Sequence, residues 1–194
     1  TEYPNRIKIG DNVKFIGTVN IDESTYHFSD KVLDRANVIQ LDVLNYANMW
    51  TKTKYASLGN INWTIDDYNS ITVTNSDEDM QLVHQLLWDI HTLLHSANSK
   101  YGVGPRIVKS IEMYLWNLPK SGIGEFSYSD LQIAQRVLTK VRGPENQLGE
   151  ILDEKSENNI YLIFDKYHDL SKFSICRDIV QQKQKELESY GYCI

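Results

Sequence analysis

The first 41 residues contain two short apolar runs, and the polar stretch between them has residues typical of a helix start. Residues 13–19 and 38–41 are rich in β-branched and aromatic side chains, and such runs are typical of buried strands. Between them, Ser29 and Asp30 are favourable N-cap residues for a short helix that ends near Ala36. The pattern therefore predicts a strand, a short helix and a second strand.

The second half of the chain has helical spacing instead. Between Met80 and Ala97 the apolar residues recur three and four positions apart, which predicts a long helix buried on more than one side. Gly102 and Gly104 end this helix, and Pro105 suits the first turn of the next one. Further helices are predicted after a cap at Ser129 or Asp130, near 145–155, near 157–165, and over 171–190 with Gly191 at its end.

The predicted elements divide the chain into three parts. Residues 1–41 carry the strands, residues 42–75 are a polar, aromatic connector with little regular structure and at most a short hairpin, and residues 76–194 are helical. The fold class is therefore α+β, mostly α. We find no internal repeat and no low-complexity tract.

Charge and cysteine content narrow the class of protein. The net charge of −6 argues against a broad, sequence-independent nucleic-acid surface, because phosphate binding needs clustered Lys and Arg. Arg136, Lys140 and Arg142 form a small basic cluster at a predicted helix end, where their positive charges are expected to interact favourably with the helix dipole. Cys176 and Cys193 are expected to be reduced thiols. The sequence also has no apolar run long enough to span a membrane and no secretion leader, so we expect a cytoplasmic protein.

No residue cluster in the sequence predicts a metal site or a nucleophilic triad. His91 and His95 have a spacing that can bind zinc, but no Glu base lies between them and no third ligand is evident. We therefore expect structural or surface histidines and no metal. The sequence has neither a Ser/His/Asp nor a Cys/His signature.

Three segments resemble AAA+ ATPases, specifically the McrB-like branch, in their order and spacing. They are Gly-Thr-Val-Asn at 17–20 with Asp-Lys-Val-Leu-Asp-Arg at 30–35, Gly-Val-Gly-Pro-Arg-Ile at 102–107, and the predicted helix at 130–143. The closing residues 185–192 are also similar. The resemblance implies the last strands of a truncated AAA+ αβα core at 1–41, followed by an all-α helical lid.

The resemblance gives three residues a role. Asn20 would be the first sensor, which positions the water that attacks the γ-phosphate, and Arg35 the arginine finger, which acts on a neighbouring subunit's nucleotide. Arg106 would be the second sensor, on the lid. Each residue also has a purely structural alternative. Asn20 could be a turn residue that closes a strand, Arg35 a surface residue paired with Asp30 or Asp34, and Arg106 a residue on a helix surface.

The chain also departs from the family pattern. No G-x-x-x-x-G-K-[ST] loop is present, and no apolar run ending in Asp-Glu stands before Asn12. One Arg stands at the finger, in Asp-Arg-Ala at 34–36, where relatives often have several, and Ile-Asp-Glu-Ser at 21–24 follows the sensor Asn. We therefore expect the chain alone to be catalytically inactive.

The resemblance also implies a setting for the intact protein. It would bind ATP or GTP with Mg²⁺, self-associate into a ring and drive a nuclease subunit of a restriction or defence system, and so act on DNA indirectly. The alternative is a non-catalytic helical protein-interaction module, a degenerate AAA+ remnant that scaffolds a partner.

Overall fold

Helices dominate the part of the chain that the computed structural model describes, namely residues 6–19, 28–41, 62, 64–76, 80–118 and 127–194. In chain order the helices are α1 (Asp30–Leu33), α2 (Ile65–Ile71), α3 (Gln81–Ala97), α4 (Pro105–Trp116), α5 (Tyr128–Arg136), α6 (Glu145–Leu152), α7 (Ile160–Lys166) and α8 (Ser174–Tyr190). A 3₁₀ turn spans Leu138–Lys140. The strands β1 (Gly143–Pro144) and β2 (Tyr192–Cys193) pair antiparallel, with Gly143 opposite Cys193. The described residues are thus mostly α with a small sheet.

The chain divides into two compact units, and the first contains residues 1–27 and 42–72. Here the predicted strand at 13–19 is wrong, because these residues form no strand and the Phe15 and Ile16 side chains are 78% and 94% exposed. A strand needs a hydrogen-bonded neighbour, and the described residues provide none for this segment. The predicted connector instead contains α2, which begins with a capping box between Thr64 and Asp67. The hydrogen bonds from Thr64 lower the pKa of Asp67.

The second unit contains residues 28–41 and 73–194. Its α1 begins after Ser29, as predicted, and buries Leu33. The strand predicted at 38–41 is wrong for the same reason as the first, and Ile39 and Leu41 are 64% and 87% exposed.

A hydrophobic core formed by α3 to α8 holds the second unit together. Helix α3 packs against α6 and α7, while α5 and α6 pack against α8. The Phe164 and Phe173 rings stack 5.0 Å apart in this core. Cys176 and Cys193 are buried free thiols, and burial raises the pKa of both. Within the described ranges, no helix is long and apolar enough to cross a bilayer.

The helices predicted in the second half are confirmed, with differences at their ends. The helix predicted at 130–143 is shorter than expected, because α5 ends at Arg136 and the 3₁₀ turn at Leu138–Lys140 follows it. Pro105 opens α4, and Gly191 ends α8 in the left-handed conformation with φ 70°. The cap predicted for α5 is wrong, because its N-cap is Ser127. The Asp130 carboxylate instead accepts hydrogen bonds from the backbone N–H groups of Ile175 (3.0 Å) and Cys176 (2.9 Å) at the start of α8. Asp130 therefore caps a helix that lies far from it in sequence.

Candidate functional site

The basic cluster of the sequence lies against α1. We call Arg136, Lys140 and Arg142 the basic clamp. Lys140 Nζ lies 2.6 Å from Asp34 Oδ1, and both side chains are partly buried. Arg136 NH1 lies 3.5 Å from the carbonyl oxygen of Ala36, and burial lowers the pKa of Arg136. Two clamp residues thus hold the C-terminal end of α1.

Arg142 holds the other end of α1. Its guanidinium donates one hydrogen bond to the carbonyl oxygen of Phe28 (2.9 Å) and another to Asp30 Oδ1 (2.8 Å). Further along the segment, Asn37 Nδ2 donates to Gln135 Oε1 at 2.8 Å. Polar contacts on both sides of buried Leu33 therefore fix α1 to the helical bundle.

Arg35 follows α1 directly and its side chain is exposed. The carboxylates that could have paired with it, Asp30 and Asp34, bind Arg142 and Lys140 of the basic clamp. Among the ion pairs of the described residues, none includes the Arg35 guanidinium. The Arg35 guanidinium is therefore accessible to solvent or to another molecule, and the helix that precedes it is fixed to the bundle.

Arg106 lies in the first turn of α4, directly after Pro105, and is exposed. The loop before it is seated on α3, because the Val103 N–H donates to His91 Nδ1 at 3.1 Å. A Cβ on Gly102, which has φ 136°, would lie 2.5 Å from that nitrogen, so only glycine fits there. The start of α4 is thus held from its N-terminal side.

The third predicted site residue, Asn20, lies outside the described residues. The structure places Arg35 and Arg106 in the second unit, and the role of Asn20 stays a prediction.

The histidines take structural positions. His91 accepts the Val103 N–H, and its ring stacks on that of His95 with centroids 5.3 Å apart. His84 Nε2 lies 2.6 Å from Glu112 Oε1. No group of three His, Cys, Asp or Glu side chains that could hold a metal ion is found within the described ranges.

A shallow groove of about 560 Å³ lies between α3 and α7, outside the predicted site. Trp88, which is 66% exposed, lies on its wall. Three of its polar groups bind one another, because Asp89 Oδ2 accepts from Lys166 Nζ (2.6 Å) and from Tyr167 Oη (2.8 Å). The carboxylate of the groove is therefore already paired.

The sequence reasoning missed the basic clamp as a functional element. Its contacts with α1 join residues about 100 positions apart, such as Lys140 and Asp34. The pattern of charges could have indicated this contact. Asp30 and Asp34 lie four residues apart and hence on one helix face, and the residues of the basic clamp carry the opposite charge.

Comparison with known proteins gives one match. A family model described as "Domain of unknown function (DUF8727)" matches residues 53–192, which include α2 to α8, the basic clamp and Arg106. Neither the curated proteins nor the solved structures contain a match to the chain.

Proposed function

We propose that this chain, which belongs to the DUF8727 family of domains of unknown function, is the C-terminal sensor and lid portion of a McrB-like AAA+ NTPase. The observation that carries the proposal is the state of Arg35. An arginine finger must be free of local carboxylates and fixed in position, because it offsets charge that develops on another subunit's phosphoryl group. The basic clamp supports both conditions, since it binds Asp30 and Asp34 and anchors α1.

The exposed apolar segments support the same proposal. In an intact AAA+ core, upstream parts of the motor would pack on residues 13–19 and 38–41. That packing would cover Phe15 and Ile16, which are exposed in this chain.

The proposed NTPase binds ATP or GTP with Mg²⁺ in its core, assembles as a ring in the cytoplasm and drives a nuclease subunit of a restriction or defence system. In this chain, Asn20 and Arg35 would act in catalysis and Arg106 in nucleotide binding. The upstream coding sequence distinguishes this proposal from the non-catalytic interaction module. A Gly-rich Lys-Ser/Thr loop roughly 100–200 residues before Asn20 supports the motor, whereas an open reading frame that starts near Thr1 supports the module.

The isolated chain is expected to bind nucleotide weakly and not to hydrolyse it. The sequence has no phosphate-binding loop, and that loop supplies most of the N–H groups and the Lys that hold the β- and γ-phosphates. Titration calorimetry with ATP or GTP and magnesium tests this. A dissociation constant near micromolar would contradict the assignment of the chain as a sensor and lid portion.

In the intact NTPase, Arg106→Ala is expected to weaken nucleotide affinity roughly tenfold or more, because a charge-assisted contact to phosphate is worth about 1.5–3 kcal/mol. Arg106→Lys should restore only part of this, since an ammonium cannot make a planar two-pronged contact. Lys109→Ala is the matched control, because exposed Lys109 lies on the same helix and contacts Glu112 (3.8 Å) and the Trp116 ring. Equal affinities for Arg106→Ala and the control would make Arg106 a surface residue.

A further inference from the structure

We propose that Arg142 is a positioning residue that links the loop before Arg106 to the helix that carries Arg35. The inference rests on the proposed function and deepens it, because the linked elements are the proposed second sensor and the proposed arginine finger. One residue makes both contacts: its side chain binds the α1 segment, and its backbone binds the loop at 98–104.

The side-chain contact fixes the start of α1. The two guanidinium nitrogens bind different acceptors, the Phe28 carbonyl oxygen at 2.9 Å and Asp30 Oδ1 at 2.8 Å. The Arg142 side chain is 21% exposed, whereas that of Asp30 is 67% exposed. The contact to the backbone carbonyl matters most, because it fixes the main chain that enters α1 and does not depend on an exposed ion pair.

The backbone contact fixes the loop before Arg106. The Tyr101 hydroxyl oxygen lies 2.9 Å from the carbonyl oxygen of Arg142 and 3.0 Å from Gln147 Oε1, so its one hydrogen is shared between two acceptors. Burial raises the pKa of Tyr101. The approach is close, because a Cβ on Gly143 would lie 2.3 Å from the Tyr101 hydroxyl oxygen. A shift of the loop relative to Arg142 would therefore disturb this contact.

The backbone of Arg142 leads into a strand whose partner is bound to α8. Gly143, the next residue, pairs with Cys193 in the small sheet. The chain after Cys193 is bound to α8, because Lys183 Nζ donates to the Ile194 carbonyl oxygen and the Ile194 N–H donates to Glu186 Oε2 at 3.0 Å. Arg142 thus lies directly before β1 and contacts two elements that lead to exposed arginines.

The functional consequence is coupling between two nucleotide sites. A nucleotide that moves Arg106 would shift the loop at 98–104, and the Tyr101–Arg142 contact would pass the shift to α1. Arg35 acts in the neighbouring subunit, so the occupancy of one pocket would adjust the finger that serves the next. Such coupling must be reciprocal, so a substitution at Arg142 must also change the stability of the loop at 98–104.

Hydrogen exchange on the 194-residue chain, without nucleotide, tests this inference. The amides at 34–36 donate to carbonyl oxygens of α1. Tyr101→Phe should raise their exchange rates roughly three- to tenfold, the effect of one lost neutral hydrogen bond. In this inference Tyr101 acts on α1 through Arg142. Arg142→Gln should raise the same rates and, reciprocally, that of the Val103 amide. The double variant should exchange like Arg142→Gln alone, because both changes break one connection.

Matched controls separate coupling from general loosening. Tyr167→Phe removes a hydroxyl that donates to Asp89, and Arg177→Gln removes an Arg–Asp pair with Asp165 (2.5 Å), both away from α1. Neither should change exchange at 34–36. Arg142→Lys keeps the positive charge and the backbone carbonyl group of residue 142, so its effect on exchange at 34–36 should be intermediate. This variant replaces Arg142→Gln in the test if Arg142→Gln fails to fold.

Unchanged exchange at 34–36 in Tyr101→Phe, or an equal rise in the controls, would overturn the link. Neither result depends on NTP hydrolysis. Coupled exchange together with full turnover of an Arg35→Ala enzyme would refute the proposed NTPase role of Arg35 and leave the structural link standing. Uncoupled exchange with a functional finger would refute the link alone.

Discussion

Replacing Arg35 with alanine in the assembled NTPase is expected to lower turnover by roughly 10³–10⁵-fold, the range found for arginine fingers. Nucleotide affinity should stay nearly unchanged, because in the proposed role the guanidinium comes from the neighbouring subunit and is needed mainly in the transition state. The basic clamp contacts α1 through other residues, so the substitution should also leave α1 in place.

Two further variants sharpen this prediction. Lys31→Ala is the matched control, because Lys31 is an exposed cation on the same short helix and should be dispensable. Arg35→Lys should rescue little, since an ammonium cannot reproduce the planar fork of donors. Steady-state turnover and equilibrium nucleotide binding measure the two quantities separately. A loss of affinity equal to the loss of turnover would place Arg35 in ground-state binding and contradict the finger role.

The second large effect is on stability: Asp130→Ala is expected to lower the free energy of unfolding by about 2–4 kcal/mol. Asp130 is 3% exposed, and its carboxylate accepts the backbone N–H groups of Ile175 and Cys176 at the start of α8. The carboxylate also lies at the positive end of the helix dipole of α8. Its removal leaves buried donors without an acceptor, and α8 packs against both α5 and α6.

Urea unfolding followed by circular dichroism measures this cost. Asp178→Ala is the matched control, because Asp178 is an exposed carboxylate on α8 and should change stability by no more than about 0.5 kcal/mol. Asp130→Asn should fall between the two, since the amide oxygen still accepts but carries no charge. If Asp130→Ala were as stable as the control, Asp130 would not be the cap of α8.

The helices of the second half could be predicted because their signals are local. Apolar spacing, Pro105 at a helix start and Gly191 at a helix end all act within a few residues. Asp130 could not be placed, because the backbone donors it binds begin at Ile175 and only the fold brings them close. The strand at 13–19 was wrong because strand formation depends on a neighbour, which no local pattern supplies.

The candidate site shows the same division. Arg35 and Arg106 were predicted from a resemblance to a family, and both are exposed. Arg35 directly follows the short helix α1, and Arg106 lies in the first turn of α4. The basic clamp was interpreted as a helix-dipole feature, because its contact with α1 spans more than 100 residues, as between Arg142 and Asp30. Charge alone indicates that such a cluster can bind a carboxylate, but not which one.

The measurement that tests the central claim most directly is a mixing experiment with the intact NTPase. One variant carries Arg35→Ala and the other lacks the Lys of the proposed phosphate-binding loop, so the proposal predicts that each is inactive alone. If Arg35 acts in trans, some interfaces in mixed rings will join a functional finger to a functional pocket, and partial turnover should return. No recovery on mixing, with both variants still assembling, would contradict the assignment of Arg35 as an arginine finger.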